Sequence, residues 1–305
     1  MKANPMKAGT VALVGRPNVG KSTLINQLIG RKVAIISDKP QTTRTSILGI
    51  MTTDRGQIIF VDNPGIHKPL HQLNRRMMNF VHSSLETADI ICLLIDAVQK
   101  YGHGDEFVIE TLKKISTPVI LLINKVDIVR KEKILPMIDS YKDLLPFREI
   151  IPLSALKGTN VEILVDKIFE LLPEAEKVFA DSDVTVHSQR FLLSEIVREK
   201  VLAHVREELP FTTAVIIDRI EDRSRENDES GKRPKKYVKA TIIVEKDNHR
   251  KIIIGRQGSL IRTIGQQARP EMEEILQASL YLDLQIKVRE RWRDKADVLD
   301  LIEGQ

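Results

Sequence analysis

Little in the chain would tie it covalently or anchor it in lipid. One cysteine among 305 residues, Cys92, excludes an intramolecular disulfide. Its place inside the apolar run 90–95 reads as a buried, inert thiol, which fits a reducing compartment. The longest apolar runs are near seven residues, far below the ~20 that span a bilayer. The start, 1–9, has no apolar stretch and does not read as a signal peptide. Neither sign of charge dominates: the net is +5, mildly basic, compatible with RNA or an anionic surface and diagnostic of neither. Against these absences stand 42% hydrophobic and 29% charged residues, an ordinary globular composition with room for about two domains.

The chain is organised around Gly15-Arg16-Pro17-Asn18-Val19-Gly20-Lys21-Ser22, which fits G-x-x-x-x-G-K-[ST]. An apolar run, 11–14, precedes it as a buried strand, and an amphipathic stretch, 22–29, follows as a helix. In that context the glycines let successive N–H groups curl around phosphate oxygens. The helix start adds partial positive charge at the same spot. Lys21 is expected to reach the β- and γ-phosphates, and the Ser22 hydroxyl to bind Mg²⁺.

Apolar runs alternate with helical patterns as far as residue 172. Strands are expected at 10–14, 47–52, 57–61, 90–95, 119–123 and 149–152, and helices at 21–29, 104–115, 131–145 and 161–172. Strands this apolar are buried on both faces, which predicts a mostly parallel sheet with helices on both sides. Ligands on such sheets lie beyond the carboxyl ends of the strands, and the remaining motifs fall there. In Gln41-Thr42-Thr43-Arg44-Thr45 either threonine could complete a Mg²⁺ shell, with Thr43 favoured. In Asp62-Asn63-Pro64-Gly65 the carboxylate can hold Mg²⁺ and the Gly65 N–H can meet a γ-phosphate. In Asn124-Lys125-Val126-Asp127 the Asp127 carboxylate can accept from guanine N1–H and its 2-amino group, a donor pair adenine lacks. Asn124 would brace that loop and the Lys125 stem would lie over the base. In Ser154-Ala155-Leu156 the Ala155 N–H could meet guanine O6.

These five motifs, in this order, resemble a P-loop GTPase of the translation-factor-related class, and most closely an Era-type G domain. Ile66 stands where Ras-like GTPases carry a water-orienting glutamine. Intrinsic hydrolysis is therefore expected to be slow unless charge is neutralised another way. The resemblance implies one: the Asn18 amide oxygen would help bind K⁺, making Asn18, with Lys21 and Thr43, part of the catalytic set. His67, His71 and His82 read as solvated loop histidines rather than a general base.

The second half begins after an acidic stretch with no sustained period. A helix is expected at 189–206, from Leu193, Ile196, Val197, Val201 and Val205. Strands are expected at 211–220 and 237–245, joined by a charged loop ending in Lys232-Arg233-Pro234-Lys235-Lys236, read as a solvated tip. Leu280, Leu282, Leu284, Ile286 and Val288 alternate with polar residues, as in an antiparallel strand with one wet face. Before it, Gly255-Arg256-Gln257-Gly258 joins a short helix to a longer one that Pro270 is expected to kink or split. Two glycines, the Arg256 charge and a helix N-terminus suit a single-stranded RNA backbone. Arg250, Lys251 and Arg262 strengthen the field. Trp292 could stack a base or lid the core.

The Gly-x-x-Gly, flanked by Ile252-Ile253-Ile254 and Leu260-Ile261, resembles a type II KH domain. The expected division is a G domain at 7–173, a linker at 174–188, a KH domain at 189–291 and a tail at 292–305. The fold class is thus an α/β P-loop NTPase followed by an α+β KH domain. A G domain joined to such a KH domain is the Era-family arrangement. That resemblance implies a monomeric, cytoplasmic GTPase with Mg²⁺, in loose contact with the inner membrane face. It also implies a partner, the 3′ end of 16S ribosomal RNA during assembly of the small (30S) subunit. The RNA contacts would be Lys251, Gly255, Arg256, Gln257, Gly258 and Arg262.

Overall fold

The computed structural model describes residues 6–39, 41–66, 71–223 and 235–304. They form two compact units, with the main break between Val186 and His187.

In the first unit β1 (Lys7–Gly15), α1 (Lys21–Ile29), β2 (Ile47–Thr53), β3 (Gly56–Asp62), α2 (Gln72–Thr87) and β4 (Ile90–Asp96) come first. They are followed by α3 (His103–Leu112), β5 (Val119–Asn124), α4 (Ile134–Tyr141), β6 (Glu149–Pro152) and α5 (Val161–Leu171). The sheet order is β2-β3-β1-β4-β5-β6. Only β2 runs antiparallel to its neighbour, so the sheet is mostly parallel, as its unbroken apolar strands require. Side chains from α2, α3 and α4 close one face over Ala12, Val14, Ile91, Leu93 and Leu121, and α1 packs against β1, β2 and β3. Each fully buried Leu or Ile there contributes about 1.5–3 kcal/mol, so a charge at Leu121 would unseat the sheet's centre.

The six strands stand where the sequence places them, within three residues at the ends. The sequence reading leaves α2 unassigned, although Leu73, Met77, Val81 and Leu85, all buried, recur along it at four-residue steps. Asn, His and two Ser among them dilute the signal. The expected helix at 131–145 is shorter: a 3₁₀ turn, Lys131–Lys133, precedes α4. Cys92 is fully buried, and burial raises its thiol pKa far above the ordinary range. The segment after α5 is tied down in this unit. Ala175 N–H donates to Met6 O, Ile50 N–H to Val184 O, and Thr185 Oγ1 to Leu48 O. The wholly buried Gln57 donates to Phe179 O and accepts from the N–H of Val178 and Phe179.

The second unit comprises α6 (Gln189–His204), α7 (Leu209–Thr212), β7 (Ala214–Asp222), β8 (Lys235–Val244), α8 (Asp247–Ile254), α9 (Ser259–Leu276), β9 (Ser279–Val288) and α10 (Ala296–Glu303). Ser188 caps α6 by accepting from Phe191 N–H at 3.1 Å. The expected strand at 211–220 starts later because Leu209–Thr212, with Pro210 in its first turn, coils as a helix. Two differences from the sequence reading, and the choice it left open for Trp292, follow from packing. β9 pairs parallel, not antiparallel, with β8, because α8 and α9 form the crossover between them. α9 runs unbroken through Pro270, held by Ile264, Ala268, Met272 and Leu276 in the core against a cost of about 3 kcal/mol. Trp292 is fully buried and donates from Nε1 to Thr212 O at 2.8 Å, so it lids the core and offers no ring to a base. With Val298 and Leu299 also buried, residues 292–303 belong to this unit rather than trailing as a tail. Most of the charged tip, 224–234, and His67 lie outside the described residues.

Candidate functional site

The loop after β1 turns through left-handed backbone at Gly15 (φ +149°), Asn18 (+64°) and Gly20 (+100°) before α1 begins at Lys21. Two of these turns leave no room for a side chain. A Cβ on Gly15 would lie 2.4 Å from Leu94 O, and one on Gly20 would lie 2.3 Å from Asn124 Nδ2. Arg16 faces away from the loop to pair with Asp105 of α3 at 2.9 Å. Asp105 gave no sequence signal beyond its place in the first turn of a helix.

Beneath the loop, Lys21 is 6% exposed, and its Nζ donates to Arg16 O at 3.2 Å. Ser22 Oγ donates to Asp62 Oδ2 at 2.6 Å and lies 3.0 Å from Thr43 Oγ1, which donates to the same oxygen at 3.3 Å. Three hydroxyl and carboxylate oxygens thus converge, from the start of α1, the loop before β2 and the end of β3. Thr42 Oγ1 instead donates to Lys39 O. Asp62 is fully buried, and its Oδ1 has no hydrogen-bond partner among the described residues. Burial raises the Asp62 pKa, against the pull of Lys21 and the two hydroxyls, and burial lowers that of Lys21, against the pull of Asp62. This oxygen set suits a hard cation that takes oxygen ligands, and the unpartnered Oδ1 leaves an acceptor over for it. A cavity of about 320 Å³ opens above, lined by Pro17, Asn18, Lys21, Ser22, Thr43 and Gly65, among others.

After β3 the chain presses on the loop. A Cβ on Gly65 would lie 2.8 Å from Pro17 N. Asn63 is fully buried and accepts from Ser46 Oγ and Ser84 Oγ, fastening the stretch before β2 and helix α2 to this turn. Neither serine shows a pattern in the sequence. Pro64 is buried as well, and Ile66, 3% exposed, sits in the apolar cluster with α2 and α3. His82 is exposed on α2.

At the other end, Asn124 is 2% exposed and hydrogen-bonded through both its amide nitrogen and its amide oxygen. It donates to Val19 O at 2.8 Å and accepts from Lys125 N–H and Ala155 N–H at 2.8 and 2.9 Å. The Ala155 N–H that the sequence offers to guanine O6 is therefore engaged within the protein, whereas Leu156 beside it is 69% exposed. Ser154 is buried and its Oγ accepts from Lys157 N–H. Lys125, at φ +68°, reaches Asn18 O at 2.9 Å and Asp96 Oδ2 at 2.7 Å. Asp96 escaped the sequence reading; an acid closing an all-apolar strand was its signal. Val126 is half-buried, and Asp127 stands exposed with no side-chain partner among the described residues.

In the second unit Gly255 (φ +73°), Gln257 (+51°) and Gly258 (+76°) carry the backbone from α8 to α9. A Cβ on Gly255 would lie 2.8 Å from Leu260 N, while one on Gly258 would meet nothing within 4 Å. Lys251, Arg256, Gln257 and Arg262 are exposed around this loop. Ile252 and Ile254 expose 49% and 36% of their surface beside it. Lys251 and Arg250 both pair with Asp247, at 3.3 and 2.8 Å.

Comparison with known proteins places both halves. Residues 10–125 match the family described as 50S ribosome-binding GTPase, and residues 220–293 match the KH domain. The crystal structure of Era in complex with MgGDPNP and nucleotides 1506–1542 of 16S ribosomal RNA is 41% identical. It covers 97% of this chain and 98% of its own, with a TM-score of 0.91. A variant of Era from Aquifex aeolicus bound to GDP·AlF₄⁻ is also 41% identical, covering 97% and 99%, with a TM-score of 0.90.

Proposed function

The chain belongs to the Era family, a GTPase domain followed by a KH domain, and on that premise we propose how its residues divide the work. The protein hydrolyses GTP and binds the 3′ end of 16S ribosomal RNA, as a switch in maturation of the small ribosomal subunit. One observation carries the reading: the convergence of Ser22, Thr43 and Asp62 oxygens beside buried Lys21 under a loop that only glycine can form.

The backbone of residues 15–20 cradles the phosphates, and Lys21 reaches the β- and γ-phosphates. Ser22, Thr43 and Asp62 hold Mg²⁺, which when bound neutralises charge on the transferring phosphoryl group. Gly65 offers its N–H to the γ-phosphate across Pro17. Asp127 accepts from guanine, Lys125 flanks the base under the hold of Asp96, and the amide at Ala155 or Leu156 meets O6. With Ile66 buried in the core, water is not oriented by that side chain. Asn18 supports the remaining charge: its Nδ2 donates to Asp38 O at 2.6 Å, which leaves the amide oxygen to hold K⁺. In the KH domain Gly255 and Gly258 admit the RNA backbone, with Lys251, Arg256, Gln257 and Arg262 around it.

We assign the G domain to 7–173, the linker to 174–188 and the KH domain from 189. The protein works as a monomer in the cytoplasm, in loose contact with the inner membrane face; no helix of the described residues is long and apolar enough to cross a membrane. The test is GTP turnover with and without the 3′ RNA fragment, in K⁺ and in Na⁺ at equal ionic strength. Turnover is expected to rise in K⁺ alone and to lose that response in Asn18→Ala. Equal rates in both salts would remove the ion assignment, and ATP turned over as readily as GTP would remove the whole reading.

A further inference from the structure

The sheet of the second unit has a face that α6 and α9 do not cover. On β8, Val238, Ala240 and Ile242 point into the core, so Tyr237 and Lys239 point the other way. Tyr237 and Tyr281 are register partners on β8 and β9. Their rings stack at 5.8 Å between centroids, 14° from parallel. Tyr237 is only 7% exposed. Its hydroxyl donates to Asp283 at 2.7 Å, and the Arg223 and Arg219 guanidiniums lie 4.2 and 5.3 Å from its ring centroid. It is thus fixed on all sides, a backing for its neighbour. Tyr281 leaves 65% of its surface in solvent. Beside it lies a cavity of about 310 Å³ whose lining includes Arg223, Lys235, Lys236 and Arg269. Glu273, the acid in that lining, already accepts from Leu280 N–H at 2.8 Å. A rigidly backed, exposed ring among several cations is the arrangement that stacks a base while its phosphate is neutralised.

Distance separates this patch from the Gly255–Gly258 loop. The loop opens α9, whose 18 residues lead back to β9. At 1.5 Å per residue the two lie about 27 Å apart along that helix, about eight stacked nucleotides at ~3.4 Å each. A Gly-x-x-Gly loop clamps only about four, whereas the RNA bound by the Era relative runs from nucleotide 1506 to 1542. We propose that Tyr281, flanked by Arg223, Lys236 and Arg269, is a second RNA contact, a stacking platform for a base of the single strand whose backbone the Gly255–Gly258 loop holds. This rests on the RNA-binding reading above and extends it to a surface that reading leaves unused.

The test compares full-length wild type, Tyr281→Ala and Tyr281→Phe, with RNA affinity read by fluorescence anisotropy at one fixed salt concentration. Two RNAs are used: the 1506–1542 fragment and a five-nucleotide oligomer too short to reach both places. Tyr281→Ala is expected to bind the fragment roughly 5- to 150-fold more weakly and the oligomer unchanged; Tyr281→Phe restores fragment affinity. GTP turnover without RNA stays as in wild type in both variants, and the melt of Tyr281→Ala falls slightly with the lost ring stack while Tyr281→Phe keeps it. Unchanged fragment affinity in Tyr281→Ala would overturn the proposal, and the patch would then suit a protein instead. Fragment bound by neither wild type nor variants would overturn the RNA reading itself, which the two-RNA design separates from failure of the platform alone.

Discussion

The chain grips phosphate twice in this reading, with two glycine loops at two helix N-termini that could hardly be built more differently. At the first, Gly20 turns at φ +100° directly against Asn124, which is buried and hydrogen-bonded to Val19 O. At the second, Gly258 turns at φ +76° with nothing within 4 Å, and the cations around it are exposed. The first loop is a fixed mould for one small triphosphate. The second, in that reading, is an open rail along which a strand can lie. A mould needs glycine to close against the protein, and a rail needs it to let the ligand in.

Gly20→Ala should therefore do the greatest harm. Its Cβ would displace the Asn124 amide at 2.3 Å, loosening both the phosphate cradle and the loop that selects the base. GDP affinity, titrated with a fluorescent analogue, should fall at least about 100-fold, the usual cost of a misplacement near 1 Å, while RNA binding in the absence of nucleotide is retained. Near-normal GDP affinity would show that the mould yields, and the contrast between the loops would dissolve.

The same contrast extends to buried and exposed polar side chains. Gln57 is wholly buried with all its bonds made, two of them to the N–H of Val178 and Phe179 on the segment leading out of the first unit. Gln57→Ala should cost about 1–3 kcal/mol in urea unfolding of the first unit and leave the second unit's transition in place. A shared loss in both transitions would mean that the two units do not unfold independently.

Sequence made the mould easier to read than the rail. Five short motifs at strand ends mark the first unit because phosphate, Mg²⁺ and guanine each demand particular residue types at fixed places. Thr43 over Thr42 was a preference in the sequence; in the fold Thr43 Oγ1 donates to Asp62, and Thr42 Oγ1 donates to Lys39 O. What escaped is what depends on tertiary contact. Asp96 bears on the site through Lys125, and Ser46 and Ser84 through Asn63. The parallel pairing of β9 was hidden for a similar reason. Alternation along a strand reports which face is wet, not which way its neighbour runs, and the two helices between β8 and β9 set that direction. Of the kink or split expected at Pro270, the split does not occur, because four buried residues of α9 hold the helix to the core.

The gentlest test separates the two glycines of the rail itself. Gly258 lies in the left-handed helical region (φ +76°, ψ +17°) with open space around a Cβ, whereas Gly255 (φ +73°, ψ +177°) lies where essentially only glycine goes and a Cβ would sit 2.8 Å from Leu260 N. Gly258→Ala should then cost only the left-handed backbone term, about 1–2 kcal/mol, in unfolding of the second unit without RNA. Gly255→Ala must add both a backbone region closed to alanine and the displacement of the first turn of α9, and its loss should be clearly larger. Equal losses would mean that neither its backbone nor the neighbouring turn sets Gly255 apart. Unequal losses in the stated order place Gly255 with Gly20, closed against its own protein, and leave Gly258 as the glycine kept open for a ligand.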